Sequence, residues 1–369
     1  MDLYDRLTEK RTRFVRVDEL CRRAPGMPDA ASLEAEARLP LKEKKGLEKA
    51  QGEFLANVLG DPDAGRHLCH AMLLPLPGSA ARVAEFERTG KLDLQGASVH
   101  REGKAAIVTM RNPRHLNAED ETTLEGLETA IDVATLDRGS EICVMRGGPV
   151  EHPKWAGKRL FGAGINLTHL YQGKIRYLWY IVRDLGLVNK LYRGVALPDK
   201  DPEVASVEKL WVAAVEGFAI GGHCQILLTI DYNIAAEDAY MTLPARKEGI
   251  IPGAANLRMA RFVGDRVTRQ GIMNEKRLDC ASPEGRLICD EVVSPDKVDS
   301  SIKNIVERLT GSGVVSAAGN RRAIRIAQEP LDTFRRYMAV YAREQAYCHL
   351  SPALVRNLEE NWDARNRRA

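Results

Sequence analysis

The chain has no long uninterrupted apolar run, no closely paired cysteines and almost no net charge, and each absence removes a class of function. Its most apolar stretch, 210–230, is broken by Glu216 and by Gly221-Gly222-His223. A membrane-spanning helix needs about 20 consecutive apolar residues, so this stretch is read as core. The seven cysteines (Cys21, Cys69, Cys143, Cys224, Cys280, Cys289, Cys348) are odd in number and show no CxxC spacing. Free, buried thiols in a reducing compartment are therefore expected. Lys and Arg number 54 against 51 Asp and Glu, a net charge of +3, which does not favour nucleic acid or an anionic membrane as partner. The first residues, MDLYDRLTEKRTRF, are charged throughout and contain no apolar leader core, so a cytoplasmic protein is expected. There is no internal repeat and no low-complexity run. His67-Leu68-Cys69-His70 has no second ligand pair at zinc spacing and reads as a helix surface. GSGVVS at 311–316 follows a helical segment rather than a strand, so it reads as a turn between helices and not as a dinucleotide loop.

What is present divides the chain in three. Residues 1–95 carry apolar positions at helical spacing among many charges and read as an N-terminal helical domain. Residues 96–290 alternate strand and helix patterns and read as an α/β domain. Strands are expected at 99–101, 105–110, 142–145, 211–215, 232–236 and 240–243, helices at 119–134, 167–190 and 222–230, and a loop at 193–206. Residues 291–369 are helical again. Apolar positions there suit either an oligomer contact or packing onto the same chain, and the pattern does not choose between them.

Two segments carry the chemistry, RLFGAGINL (159–167) and AAVEGFAIGGHCQILL (213–228). In each, a strand ends in a glycine-bearing turn that opens a helix. Such turns leave backbone N–H groups unpaired at the positive end of a helix dipole. Brought together, two of them form an oxyanion hole. Glycine lets the backbone approach a ligand without a Cβ in the way.

The order and flanks of NPRHLNA (112–118), FGAGINL (161–167), GFAIGGHCQ (217–225) and LPARKEGIIPG (243–253) resemble the enoyl-CoA hydratase (crotonase) superfamily. The resemblance implies a spiral of repeated ββα units, a CoA-thioester substrate and a homotrimer or homohexamer. It places the oxyanion donors on the N–H groups of Ile165 and Gly222. It places a contact to the nucleotide end of CoA on Arg114, where a cation suits phosphate.

The chain departs from a hydratase at both carboxylates that would add water across a double bond. Gln225 stands at one position and Ala245 at the other, and neither exchanges a proton near neutral pH. Glu248, three residues on, is expected in a salt bridge or on a helix surface. Gln225, Glu119 at the start of the first helix, and Arg183 within YLWYIVRDL are the candidate substrate-binding residues. A buried arginine needs a partner; Asp184 or another surface acid is the simplest. These departures, the N-terminal extension and an insertion before the second turn resemble a subgroup of dioxygenases that oxidise arylacetyl-CoA with O2, without metal or flavin. Another acyl-CoA reaction on the same fold (isomerisation, decarboxylation, thioester hydrolysis) and a non-catalytic CoA-binding protein remain open. The sequence nominates no base for the α-proton.

Overall fold

The computed structural model describes residues 2–367. Its strands are β1 (Lys91–Leu94), β2 (Ala97–Glu102), β3 (Ala105–Met110), β4 (Ile142–Gly147), β5 (Val195–Ala196), β6 (Ser206–Val207), β7 (Trp211–Val215), β8 (Phe218–Ile220), β9 (Tyr232–Ala236), β10 (Tyr240–Thr242), β11 (Leu278–Asp279) and β12 (Glu291–Val293). The main sheet runs β1-β2-β3-β4-β7-β9-β12. Its first three strands form an antiparallel meander, and from β3 onward all neighbours are parallel. Every residue of β3, β4 and β7 is buried, which is why these strands read as continuous apolar runs rather than alternating ones. A smaller sheet, β11-β10-β8, lies beside them. An isolated bridge from Gly162 to Ala219 carries that sheet to the first glycine turn. β8 thereby sets the two glycine turns side by side.

The sequence-expected elements differ from the observed ones where polar side chains reorganise the backbone. The helix expected from residue 119 begins at Leu124. Residues 119–123 are held instead by a bridge from Glu119 to Ile165 and by a turn in which the Asp120 N–H donates to Thr123 Oγ1. The helix expected at 167–190 is interrupted. Leu167–Tyr171 ends before Gly173, which has φ +74°, and helix resumes at Tyr177–Val182. Residues Arg183–Val188 are π-helical before α-helix returns at Asn189–Arg193. A π-helical turn carries one extra residue per turn and so rotates a side chain out of helical register, often at a functional site. Here it turns Arg183 and Asp184 towards the two glycine turns.

The N- and C-terminal helices share one apolar core around that segment. Leu55, Leu59, Leu68 and Met72 from the first helices meet Phe334, Met338 and Tyr341 from Leu331–His349, together with Tyr177 and Ile181. The Tyr177 hydroxyl donates to the Ala342 carbonyl at 2.7 Å. Full burial of each large apolar side chain contributes about 1.5–3 kcal/mol. The extension is also tied by charge: Arg16 meets Glu128 at 2.8 Å, and the buried Lys190 meets Glu128 at 2.8 Å and Asp132 at 2.7 Å. Within GSGVVS, residues 311–313 form the turn between the helices Val298–Thr310 and Val314–Gln328, and Val314-Val315-Ser316 open the second helix.

Candidate active site

The two glycine turns pack against each other. Gly164 has φ +79° and Gly221 φ +53°, a region that L side chains seldom enter. A Cβ on Gly164 would lie 2.8 Å from the Ile220 carbonyl oxygen, and one on Gly221 would lie 3.7 Å from Gly164 Cα. Glu119 flanks the first turn. Its N–H donates to Gly164 O at 2.7 Å, and its carbonyl accepts from the Asn166 N–H at 2.8 Å. Those two bonds use the groups on either side of Ile165, so the N–H of Ile165 itself faces the opposite way, as in any parallel bridge. Gly222 is the first residue of the helix Gly222–Leu227, where an N–H has no intrahelical acceptor. Among the described residues neither N–H finds an acceptor. Ile165 and Gly222 border the same cavity.

The NPRHLNA segment explains how the first turn is held. Asn117 has φ +57°, tolerable for asparagine but about 1–2 kcal/mol unfavourable in general. Its Nδ2 donates to both Gly148 O and Leu160 O at 2.8 Å, while its Oδ1 accepts from the Asn112 N–H at 2.9 Å. One side chain thus fastens the end of β4, the strand-like 160–162 and its own loop. Asp120 accepts from Asn166 Nδ2 at 3.0 Å and pairs with His169 at 2.9 Å.

The inner wall is a buried polar chain. Arg183 is 2% exposed, so every donor on it needs an acceptor. Its Nε and Nη2 donate to the two oxygens of Glu119 at 2.9 and 2.8 Å, a bidentate pair. Nη2 also donates to the Gly222 carbonyl at 2.9 Å, and Nη1 donates to Gln225 Oε1. Gln225 Nε2 in turn donates to Asp184. The expected bland partner, Asp184, lies 3.6 Å from Arg183, and Glu119 is the nearer one. Burial raises the Asp184 acid, opposed by Arg183, Gln225 and Tyr341. Gln225 is suited to this place as an amide. The residue stands between a cation and an anion and must accept at one end and donate at the other. An amide does both without charge; a carboxylate does not.

The sequence-derived candidates fall in different places. Arg183 and Gln225 line the cavity with Ile165 and Gly222, as does Ala245. Glu119 stands behind that wall: a Cβ on Gly222 would meet its Oε2 at 2.6 Å. Trp179, Tyr180, Ile251 and Tyr341 complete an apolar lining that the sequence did not bring together. Glu248 departs from its expected role. Among the described residues its carboxylate has no salt bridge and no hydrogen bond; it borders the cavity instead.

His223 fixes the turn between the donors. The Gly164 N–H donates to His223 Nδ1 at 3.0 Å, so the neutral ring carries its proton on Nε2. Burial lowers its pKa to about 4, with Glu119 opposing and Arg183 adding to the shift. Between pH 6.5 and 4 the unfolded histidine binds a proton that the folded one excludes, so stability present above 6.5 is lost as pH falls. The loss from this residue is on the order of 3 kcal/mol. Urea unfolding across that range should show the decline, and His223→Gln should make it shallower. An unchanged slope would show that His223 does not titrate differently in the folded state.

The cavity opens into a groove of about 800 Å³ bordered by Arg114, His115, Lys154, Trp155, Lys247 and Arg367. Arg114 is exposed at the groove's edge and makes a surface ion pair with Glu151 at 3.5 Å, a weak contact that a phosphate can displace. Ile165 and Glu248 belong to both the groove and the cavity and mark the passage between them. A basic groove thus leads into a small, mostly apolar chamber bordered by two N–H donors, of which Ile165 stands at the passage. It suits a phosphate-bearing carrier with a short acyl group at its end.

The chain is similar to known proteins in sequence and in fold. The sequence model of the enoyl-CoA hydratase/isomerase family matches residues 100–338. The chain is 44% identical over 351 residues to the (3,5-dihydroxyphenyl)acetyl-CoA 1,2-dioxygenase of Amycolatopsis orientalis, an alignment spanning 94% of this chain and 80% of that protein. It is 27% identical over 235 residues to the short-chain-enoyl-CoA hydratase of Clostridium acetobutylicum, spanning 63% of this chain and 82% of that one. In fold it superimposes on an enoyl-CoA hydratase from Mycobacterium avium subsp. paratuberculosis with a TM-score of 0.60 at 20% identity, covering 75% of this chain and 99% of the other. The paired glycine turns, the basic groove and these matches lead to one conclusion: the chain belongs to the enoyl-CoA hydratase/isomerase family.

Proposed function

We propose that the protein is a dioxygenase that converts an arylacetyl-CoA, of the class of 3,5-dihydroxyphenylacetyl-CoA, and O2 to the aryl glyoxylate and free CoA, without metal or flavin. The observation that carries this reading is the extent of the likeness to the Amycolatopsis dioxygenase. At 94% of the chain it takes in most of the N-terminal helices, whereas the Clostridium hydratase spans 63%. The cavity supports it: Gln225 and Ala245 both line it, and they stand at the two positions that the family resemblance assigns to a hydratase's carboxylates.

In the mechanism the thioester oxygen lies between the N–H groups of Ile165 and Gly222. Their dipoles stabilise the negative charge that appears there when the α-proton leaves. The aryl ring spreads the charge further. Arg183 and Gln225, backed by Glu119, orient the ring hydroxyls. Arg114 and the other cations of the groove hold the nucleotide end. The enolate gives one electron to O2, and the radical pair recombines as an α-peroxide. The peroxide attacks the thioester carbonyl and expels CoA. The O–O bond then breaks as the second α-proton is lost, leaving an α-keto acid. One O2 supplies the keto oxygen and one carboxylate oxygen. The apolar lining of Trp179, Ile250 and Ile251 keeps water from quenching the enolate.

The thiols fit a reducing cytoplasm, six of the seven being buried and all unpaired. A homotrimer or homohexamer is the assembly expected from the family resemblance. Product analysis tests the reaction. With 3,5-dihydroxyphenylacetyl-CoA, mass spectrometry should find the aryl glyoxylate. Recovery of the arylacetic acid with no O2 uptake would assign a thioesterase instead.

A further inference from the structure

The reaction leaves one role unfilled, the acceptor of the α-proton. Of the ionisable side chains that border the cavity, four are committed or unsuited. Arg183 is a cation. Asp184 accepts from Gln225 and stands beside Arg183. Tyr180 and Tyr341 are raised well above the usual phenol range by burial. Glu248 is the fifth. It ends the short helix Ala245–Glu248, which follows Pro244 directly. Residues three apart on a helix lie on one face. Glu248 therefore shares a face with Ala245, one turn beyond the place of the missing carboxylate, and both border the cavity. It is half-buried where groove and cavity join, both of which Ile165 also borders.

We infer that Glu248 accepts the α-proton of the bound thioester, replacing from one helical turn away the carboxylate that Ala245 lacks. This rests on the enolate step of the proposed reaction and not on the oxygen step. The Cα–H bond breaks and the proton forms a bond to a Glu248 oxygen. The electron pair moves to the thioester oxygen between Ile165 and Gly222. Glu248 is left as a neutral acid, and its proton passes to the CoA thiolate when that group leaves. Burial, reinforced by Glu275, pushes the Glu248 acid up to about 8, with Lys247 opposing. A carboxylate so placed is a stronger base than one in water. The groups facing it are Lys247 on its own helix, Glu275 after the helix Ala260–Asn274, and Tyr180 on Tyr177–Val182; Glu275 is itself paired with Arg246 at 2.9 Å.

The test is exchange of the α-protons of 3,5-dihydroxyphenylacetyl-CoA in D2O without oxygen, followed by NMR. The wild-type chain should exchange them, with a rate that climbs with pH through about 8. Glu248→Gln, which keeps the shape, should slow exchange by at least about 100-fold and lose the pH limb. Its affinity for CoA should stay within about threefold of wild type. Glu248→Asp should recover part of the rate. Exchange by Glu248→Gln within threefold of wild type would overturn the assignment, as would a wild-type chain that binds the thioester without exchanging it. Oxygen uptake, measured separately, reports on the dioxygenase reading: exchange with no uptake would sink that reading and leave Glu248 as the base.

Discussion

Replacing Arg183 by methionine is expected to abolish turnover and to destabilise the fold by about 3–5 kcal/mol, the usual consequence of leaving a buried charge without its partner. The charge left behind is Glu119, 3% exposed and held by Nε and Nη2 of the guanidinium. The same substitution frees the Gly222 carbonyl and Gln225 Oε1, both of which accept from Arg183. Removing the charge from Glu119 as well should recover part of the loss. Arg183→Met with Glu119→Gln should therefore be more stable than Arg183→Met alone, by at least about 1 kcal/mol. Arg183→Lys should not rescue activity, since an ammonium does not reproduce the planar fork that meets Glu119 and Gln225 together. Denaturant unfolding of the three variants checks this. An Arg183→Met chain within about 0.5 kcal/mol of wild type would show that the chain of hydrogen bonds does not hold the site.

The second large effect is expected from Gln225→Glu, which restores the carboxylate of a hydratase at its own position. Here it would face Asp184, the acceptor of the Gln225 amide. Two buried carboxylates in contact do not both ionise, so the pair retains one proton and its apparent pKa rises. The folded pair then binds protons more tightly than the unfolded chain. Stability should be near that of the wild type at low pH and fall as pH rises through the raised pKa, by about 3 kcal/mol at pH 8. Oxygen uptake with an arylacetyl-CoA should drop at least about 100-fold, while affinity for CoA itself stays within about threefold, because the groove cations are untouched. Unchanged turnover with a pH-independent fold would mean that Gln225 touches neither Asp184 nor the acyl group.

How much of this is legible in the sequence depends on distance along the chain. The glycine turns, their order and the absent carboxylates are local patterns, and the fold follows from them. Arg183 stands out because a cation in YLWYIVRDL is out of place. Its main partner, Glu119, lies 64 residues away, and no periodicity connects the two. Tyr341 enters from a C-terminal helix for the same reason. The π-helical turn at Arg183–Val188 is invisible to a 3.6-residue pattern, which reads straight through it as one long helix. Glu248 reads as a surface residue because it is one turn out of step with the expected position. The i, i+3 relation to Ala245 was the signal that pointed inward. Of the groove's cations, Arg114 and Lys247 sit in recognisable motifs, whereas Lys154 and Arg367 join them only through folding.

An enolate held by two backbone N–H groups is expected to reduce oxygen with no metal or flavin. Its most direct measurement is turnover of 3,5-dihydroxyphenylacetyl-CoA by chelator-treated, flavin-free protein under ¹⁸O2. One O2 should be consumed per CoA released, with one labelled atom in the keto group and one in the carboxylate of the glyoxylate. Oxygen uptake that appears only after iron or flavin is added, or a carboxylate oxygen drawn from water, would contradict it.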